Sequence, residues 1–286
     1  MTKLFKMKVL VEIESKALGD NIGVVSIISK YQKINEYDVT VVTDHINLFV
    51  NSYPNLKFVN RGSVLGVFDK VIYATYKFNM PLLEGYAKDF EITTDGIDLK
   101  IDYVESPRPI KNKYVCISVH STAQCKYWNY PDGWDSLCRM LRKRGLTPIV
   151  VERDELFGID GNMNGLPKSA QKKIGMPFQD VLNYLQHCEF FIGLSSGLSW
   201  VAQALGKPTV IISNVTSKDN EFINESTLRI YDEKVCHGCI HKHPFNPGDW
   251  NWCPIYRNDE NMRHICTKAI TPNDVMEQIE KFFNLQ

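Results

Sequence analysis

Apolar runs and apolar stripes alternate along the chain in a regular order. Lys8-Val9-Leu10-Val11-Glu12-Ile13 is a short apolar run that predicts a strand. A helical stretch from about Asn21 to Tyr31 follows, with Val24, Val25, Ile27 and Ile28 as its apolar positions. VTVVT (39–43) is β-branched throughout and predicts the next strand. FDKVIYATY (68–76) reads as another strand, and YAKDFEI (86–92) as a short helix. ESPRPIKNK (105–113) has two prolines and no apolar period, and predicts a linker. A second cycle then begins. YVCISVH (114–120), LTPIVVE (146–152), EFFIGLS (189–195) and KPTVIIS (207–213) predict strands. GWDSLCRMLRKRG (133–145), FQDVLNYLQHC (178–188) and SGLSWVAQALG (196–206) predict helices. TPNDVMEQIEKFF (271–283) closes the chain, with Thr271 before Pro272 as a cap and first-turn pair.

Strand and helix alternate in both halves, which predicts an α/β protein with parallel sheets. The expected division is 1–108 and 109–270, with 271–286 a final helix packing back on the first half. Open parallel sheets bind ligands beyond the carboxyl ends of their strands. The chemistry is therefore sought in the loops after strands.

Composition narrows the classes. The chain has 286 residues, 44% hydrophobic, with 33 Lys+Arg against 33 Asp+Glu. Disordered, collagen-like and small disulfide-stapled classes are excluded. Zero net charge gives no support to broad nucleic-acid binding. No apolar run is long enough to span a membrane. The first twenty residues lack signal-peptide character, because Glu12 and Glu14 interrupt the apolar stretch. A cytoplasmic location is expected, and the eight cysteines then read as thiols or metal ligands.

Three loops suit a phosphorylated ligand. ALGDNIG (17–23) follows the first strand and places Asp20 at a helix start, as a simple N-cap or as a carboxylate facing a cleft. HSTAQCKYW (120–128) offers Ser121 and Thr122 with Lys126 four residues on, as a phosphate contact or as a solvated lysine in an ordinary loop. GLSSGLSWVAQALGKPTV (193–210) puts Ser195, Ser196 and Gly197 at a helix N-terminus. Such a turn binds anions, unless it is only a tight turn capped by Ser196 or Ser199. Trp and Tyr at 127, 128, 130 and 134 either pack in the core or stack on a sugar or base.

Cys236 and Cys239 form CHGC, and Cys253 and Cys266 follow in a loop rich in His, Pro, Trp and Asn. This spacing predicts a four-cysteine metal knuckle over 236–266. A closed four-ligand shell would be structural, with zinc the default from ligand type alone. Buried free cysteines or a redox CxxC are the alternatives, and His237, His241, His243 and His264 are possible substitute ligands. Cys116, Cys138 and Cys188 read as small buried residues.

Together these segments resemble the heptosyltransferases, and within them the bacterial autotransporter branch. The resemblance runs from about residue 8 to 283 and is carried by ALGDNIG, HSTAQCKYWNYPDGW, and GLSSGLSWVAQALGKPTV followed by CHGC, GDWNWCP and Cys266. It implies a GT-B architecture: two Rossmann-like domains with a Cys-rich metal-binding insertion in the C-terminal one. It implies an inverting glycosyltransferase that moves a sugar, heptose first, from a nucleotide-diphosphate donor to a hydroxyl acceptor. The acceptor would be a protein Ser/Thr, with lipopolysaccharide, another glycan or a hydroxylated DNA base as alternatives. A non-catalytic sugar-nucleotide binder or a metal-stapled interaction protein is the alternative of another class.

The resemblance makes Asp20 the catalytic base and Thr122 and Lys126 donor-diphosphate contacts. Ser196 and Gly197 match the glycine turn of the second phosphate site, Glu152 a nucleotide-ribose contact, and Ser121 and Ser195 lie beside these donor motifs. It makes Cys236, Cys239, Cys253 and Cys266 ligands of a structural iron or zinc. ADP-heptose is the implied donor, a UDP-sugar the alternative, and a homo-oligomer is expected. No Asp-x-Asp pair lies beside the donor loops, so no Mg²⁺ requirement is expected. Ser195-Ser196-Gly197 stands where lipopolysaccharide heptosyltransferases have Asp-Thr-Gly, and Trp200 where they have His; both agree with the autotransporter branch. That branch carries an N-terminal extension. Here the first strand starts near Lys8, so none is expected, which counts against a protein acceptor and a large ring assembly.

Overall fold

The computed structural model describes residues 6–159 and 161–285. Its first half holds β1 (Lys8–Ile13), α1 (Leu18–Asn35), β2 (Asp38–Val42), β3 (Leu56–Val59), β4 (Lys70–Ala74) and α2 (Leu82–Ala87). After an irregular stretch come β5 (Tyr114–Ile117), α3 (Gly133–Lys143), β6 (Thr147–Glu152), β7 (Leu156–Ile159), β8 (Asn162–Gly165) and β9 (Gln171–Ile174). Then follow α4 (Phe178–His187), β10 (Phe191–Gly193), α5 (Gly197–Ala204), β11 (Thr209–Ile212) and β12 (Thr227–Ile230). Two single-turn helices, α6 (Cys239–Lys242) and α7 (Ile265–Lys268), precede α8 (Pro272–Phe283).

Two open parallel sheets result, in the orders β3-β2-β1-β4 and β12-β11-β10-β5-β6-β9. All their pairings are parallel, and among the described residues only the β7–β8 hairpin is antiparallel. The central strands are buried on both faces, as in Tyr114–Ile117 and Thr209–Ile212, because helices cover both sides of a parallel sheet. Helix α1 is buried on nearly every side from Gly19 to Ile28. Such a helix belongs to an interior rather than a surface. Its apolar residues join a core that runs from the first sheet through α5 to one face of the second sheet. The opposite face of the second sheet has its own core.

The last helix departs from expectation. It packs on α3 and β12, in the second half of the chain, and not on the first sheet. Val275, Met276 and Ile279 are buried with Leu137, Leu141 and Ile230, and Phe283 stacks on Phe190 at 4.2 Å. An ion pair between Arg144 and Glu280 closes the contact. The amphipathic face of α8 thus finds its apolar partner on α3, one chain segment away from the edge strand it follows. Its start is as predicted: the Thr271 side chain accepts from Asp274 N, and Asp274 returns the bond.

Candidate active site

The carboxyl ends of both sheets face one crevice of about 510 Å³. Asp20, Ser121, Thr122, Lys126, Glu152, Ser195, Ser196 and Gly197 all line it. The fold therefore gathers every residue that the three loop motifs single out, from segments as far apart as 20 and 197.

Two helix starts meet there. A Cβ on Gly19 would stand 2.7 Å from Trp200 Cδ1, closer than real Cβ atoms approach, so α1 and α5 touch only because residue 19 is glycine. A Cβ on Gly197 would meet Leu18 Cβ at 3.3 Å. The first turns of α1 and α5 are thereby packed together. Each contributes unpaired backbone N–H groups and the positive end of a helix dipole, a setting that favours an anion. Neither start is closed by a side chain: the flanking residues Ala17 and Ser196 make no capping bond. Ser199 donates instead to Leu194 O at 2.6 Å.

Asp20 lies in the first turn of α1 and is not its cap. Tyr86 Oη donates to its Oδ2 at 3.1 Å. Burial pushes its carboxyl above the usual carboxylate range, against the hydrogen bonds of Ser15 and Tyr86 and the charge of Lys126. A half-buried carboxylate with a raised pKa has the property a general base needs. The turn that carries it is fixed by Asn21, which is fully buried. Its Nδ2 donates to Ser15 O at 2.9 Å and Ala17 O at 2.8 Å, while Thr43 Oγ1 donates to its Oδ1 at 2.7 Å.

Lys126 is the facing cation. Its Nζ is 5.8 Å from the Phe245 ring centroid, and it has no carboxylate ion-pair partner among the described residues. The loop under it is braced by the Cys-rich segment: Gln124 N donates to Trp250 O at 3.0 Å, and Trp250 Nε1 to Gln124 Oε1 at 3.1 Å. Asn129 Nδ2 donates to Thr267 Oγ1 at 2.8 Å and Trp128 Nε1 to Ile270 O at 2.8 Å. Trp128 and Trp134 meet edge to face at 5.1 Å. Neither they nor Tyr127 and Tyr130 line the crevice, so their role is packing.

Glu152 and Ser195 reach the crevice but are partly engaged by the protein. Glu152 Oε1 accepts from Ser118 Oγ at 2.9 Å, Val119 N at 2.6 Å and His120 N at 2.9 Å, which pins the loop after β5. The Ser195 hydroxyl donates to Glu221, itself paired with Arg229 in the interior. Sequence reading missed Tyr76, His120, Thr216 and Asn220, which also line the crevice. Thr216 and Asn220 follow β11, and the placement of that loop after a strand was the one signal available for them.

The four knuckle cysteines converge. The Cys236 sulfur accepts from the Cys266 and Cys239 thiols; these bonds bring its pKa down to about 6. Cys239 is pushed up to about 12 by burial and by Cys236, and Cys266 is raised by its bond to Cys236 and by burial. Cys253 is near enough to act on both. The donor chemistry suits a soft metal. However, among the described residues no group of three or more His, Cys, Asp or Glu stands as a ready metal cage. The expected metal knuckle is thus present as a thiol cluster, not as a formed metal site. His264 is held neutral by burial, which lowers its pKa to about 4, and it bonds to Trp252 O. Cys125 is a fifth nearby thiol, raised by burial to about 12. Cys116, Cys138 and Cys188 are buried free thiols, as expected.

Two parallel sheets facing across an anion-suited crevice, with a carboxylate on one wall and a cation on the other, suit a nucleotide-sugar-dependent glycosyltransferase. The comparisons agree. The family described as glycosyltransferase family 9 (heptosyltransferase) matches residues 70–222. The autotransporter heptosyltransferase TibC of Escherichia coli O78:H11 (strain H10407 / ETEC) is 31% identical over 98% of this chain and 72% of its own. Autotransporter heptosyltransferase Aah of Escherichia coli is 30% identical over 93% and 72%. The crystal structure of TibC, an iron-containing dodecameric glycosyltransferase, superimposes with a TM-score of 0.90 at 27% identity, covering 98% of this chain and 78% of that one. TibC has also been solved in complex with ADP-D-beta-D-heptose. E. coli ADP-heptose lps heptosyltransferase II shares the fold, with a TM-score of 0.62 at 12% identity over 97% and 99%. The chain belongs to the glycosyltransferase family 9 heptosyltransferases. Among the described residues no helix is long and apolar enough to cross a membrane.

Proposed function

We propose that the protein transfers heptose from ADP-heptose to a protein hydroxyl, with inversion at the anomeric carbon. One observation carries this reading: Asp20, with its raised pKa, shares a crevice with the unpaired Lys126 and the joined starts of α1 and α5. Residues 109–270 hold the donor and residues 1–108 present the acceptor. The acceptor oxygen attacks the anomeric carbon while its proton passes to Asp20. The bond from that carbon to the diphosphate oxygen breaks, and its electron pair leaves with ADP. Lys126 and the α5 start, at Ser196 and Gly197, stabilise the growing charge, with Ser121 and Thr122 as further phosphate contacts. Such preorganised groups are each worth about 100-fold or more in rate. Glu152 meets the ribose through Oε2, which takes none of the β5-loop hydrogen bonds and lies 3.8 Å from His120 Nδ1.

Cys236, Cys239, Cys253 and Cys266 would hold one structural iron or zinc ion, cross-linking within itself the Cys-rich segment that braces the Lys126 loop through Trp250. That ion supplies cross-linking rather than chemistry at the donor. Its test is metal content by mass spectrometry, with Cys239→Ser expected to lose metal and melt at lower temperature. The assembly is a homo-oligomer, read by light scattering.

The test of the transferase reading is ADP release from ADP-heptose beside UDP- and GDP-sugars, then transfer to unfolded protein, lipopolysaccharide or hydroxylated DNA. Release from ADP-heptose and labelling of protein are expected. Selective use of another sugar, or of lipopolysaccharide or DNA as acceptor, would overturn the corresponding half.

A further inference from the structure

A second hollow adjoins the crevice. It holds about 790 Å³, against about 510 Å³ for the crevice itself, and Leu18 lines both. Leu18 begins α1, two residues before Asp20. The hollow lies where strands of the first sheet end, the place at which open parallel sheets take ligands. Asp44 to Leu48 follow β2 and Asn60 follows β3, while Phe178 and Gln179, at the start of α4, supply a wall from the second half. Lys126, Ser196 and Gly197 line the crevice only, so a donor held by them leaves the hollow open.

The chemistry of the hollow differs from that of the crevice. No lysine or arginine lines it, whereas the carboxylates of Asp44 and Asp102 do. Asp44 is paired with Arg61, which stands outside the lining, at 3.0 Å. Asp102 accepts from Asn51 N at 2.9 Å and Ser52 N at 2.6 Å, and no cation among the described residues offsets its charge. His45 donates from Nε2 to Lys16 O at 3.1 Å. An anionic acceptor would meet carboxylates there without a counter-charge, and like charges brought together cost affinity.

The remaining lining suits a polypeptide. Asn47 and Asn60 are exposed, and their side-chain amides make no hydrogen bond among the described residues. Each amide offers donors and an acceptor, which is what the N–H and C=O of a peptide backbone require. Phe178 is aromatic yet 37% exposed, and with Leu18 it offers apolar contact. A hydroxyl that reacts at Asp20 must be carried by a chain that leaves the crevice, and the opening past Leu18 lets it do so.

We propose that this hollow is the acceptor groove, and that it takes an extended, uncharged polypeptide segment whose Ser or Thr hydroxyl reaches Asp20 past Leu18. This rests on the heptosyl-transfer reading above. The test supplies ADP-heptose with three acceptors: a serine-bearing peptide without charged residues, the same peptide with aspartates flanking the serine, and lipopolysaccharide. Wild type should label the neutral peptide, with a KM at least ~10-fold below that of the acidic one, and leave lipopolysaccharide unlabelled. Phe178→Ala and Asn47→Ala alter exposed side chains, so the fold should survive both. Each should raise KM for the neutral peptide about 3- to 10-fold and change kcat less than about twofold. Asn47→Lys should narrow the gap between the acidic and neutral peptides, which a purely structural role would not do. An unmoved peptide KM in these variants would overturn the groove, and equal use of the two peptides would overturn its charge preference. Turnover of ADP-heptose with no label on the neutral peptide, or with label on lipopolysaccharide, would overturn the proposal and leave the donor reading intact. No ADP release with any acceptor would sink both.

Discussion

Gly19→Ala tests the helix contact on which the site is built. The new Cβ would stand 2.7 Å from Trp200 Cδ1 and 3.2 Å from Cγ and Nε1, whereas ordinary contact begins at 3.4 Å. Trp200 borders the crevice but is only 4% exposed and packs in the core, so its ring has little room to yield. Helices α1 and α5 must separate by about 0.7 Å to restore contact. Overpacking of this kind costs about 1–3 kcal/mol, and the better helix propensity of alanine returns at most ~1 kcal/mol. A net loss of about 1–2 kcal/mol should lower Tm by about 2–8 °C in a chain of this size. The same separation moves Asp20 away from the start of α5, and misplacements approaching 1 Å can cost as much as ~100-fold in rate. Calorimetric melting and ADP release measure the two effects on one preparation. Trp200→Phe in the Gly19→Ala background frees space and should recover part of both. Wild-type melting and turnover in Gly19→Ala would refute the reasoning, as would a double variant no better than the single.

Other perturbations separate chemistry from scaffolding. The pKa of Asp20 is raised by burial and held back by Tyr86, so the acid limb of kcat should lie above the ordinary carboxylate range. Tyr86→Phe should move that limb to higher pH; an unmoved limb would show that Asp20 does not set it. A carboxyl with a raised folded-state pKa favours the fold while protonated and loses that contribution as pH rises through that pKa. Asp20→Asn should therefore melt no lower than wild type at neutral pH, and a marked drop would contradict the burial argument. Thr271→Ala removes the capping box of α8 and should cost about 1 kcal/mol by denaturant titration, with kcat and KM unchanged.

Periodicity located the central elements because their burial is two-sided. VTVV and YVCI could be little else but interior strands, and the amphipathic face of Gly133–Lys143 matched its buried Leu137, Cys138 and Leu141. Edge elements were harder. Gln171–Ile174 and the β7–β8 hairpin are short and partly or fully exposed, so they carry little apolar pattern, and Leu56–Val59 is only four residues long; none was predicted. Thr227–Ile230 is buried, but its TLRI sequence hides an arginine that only the Glu221 pair explains. The packing of α8 was misjudged because an amphipathic face does not name its partner. In the site, Gly19, Asp20, Lys126, Ser196 and Gly197 were legible, since helix starts after strands announce themselves. Asn220 was not: it lines the crevice from a loop after β11 that carries no motif.

The most direct measurement is ADP release from ADP-heptose by wild type and Asp20→Asn, with donor binding measured on both. The account predicts turnover by wild type, a loss of ~100-fold or more in the variant, and nearly equal donor affinity. Near-full turnover by Asp20→Asn would contradict it, and the carboxylate at the start of α1 would then be a structural group in an active site run by other residues.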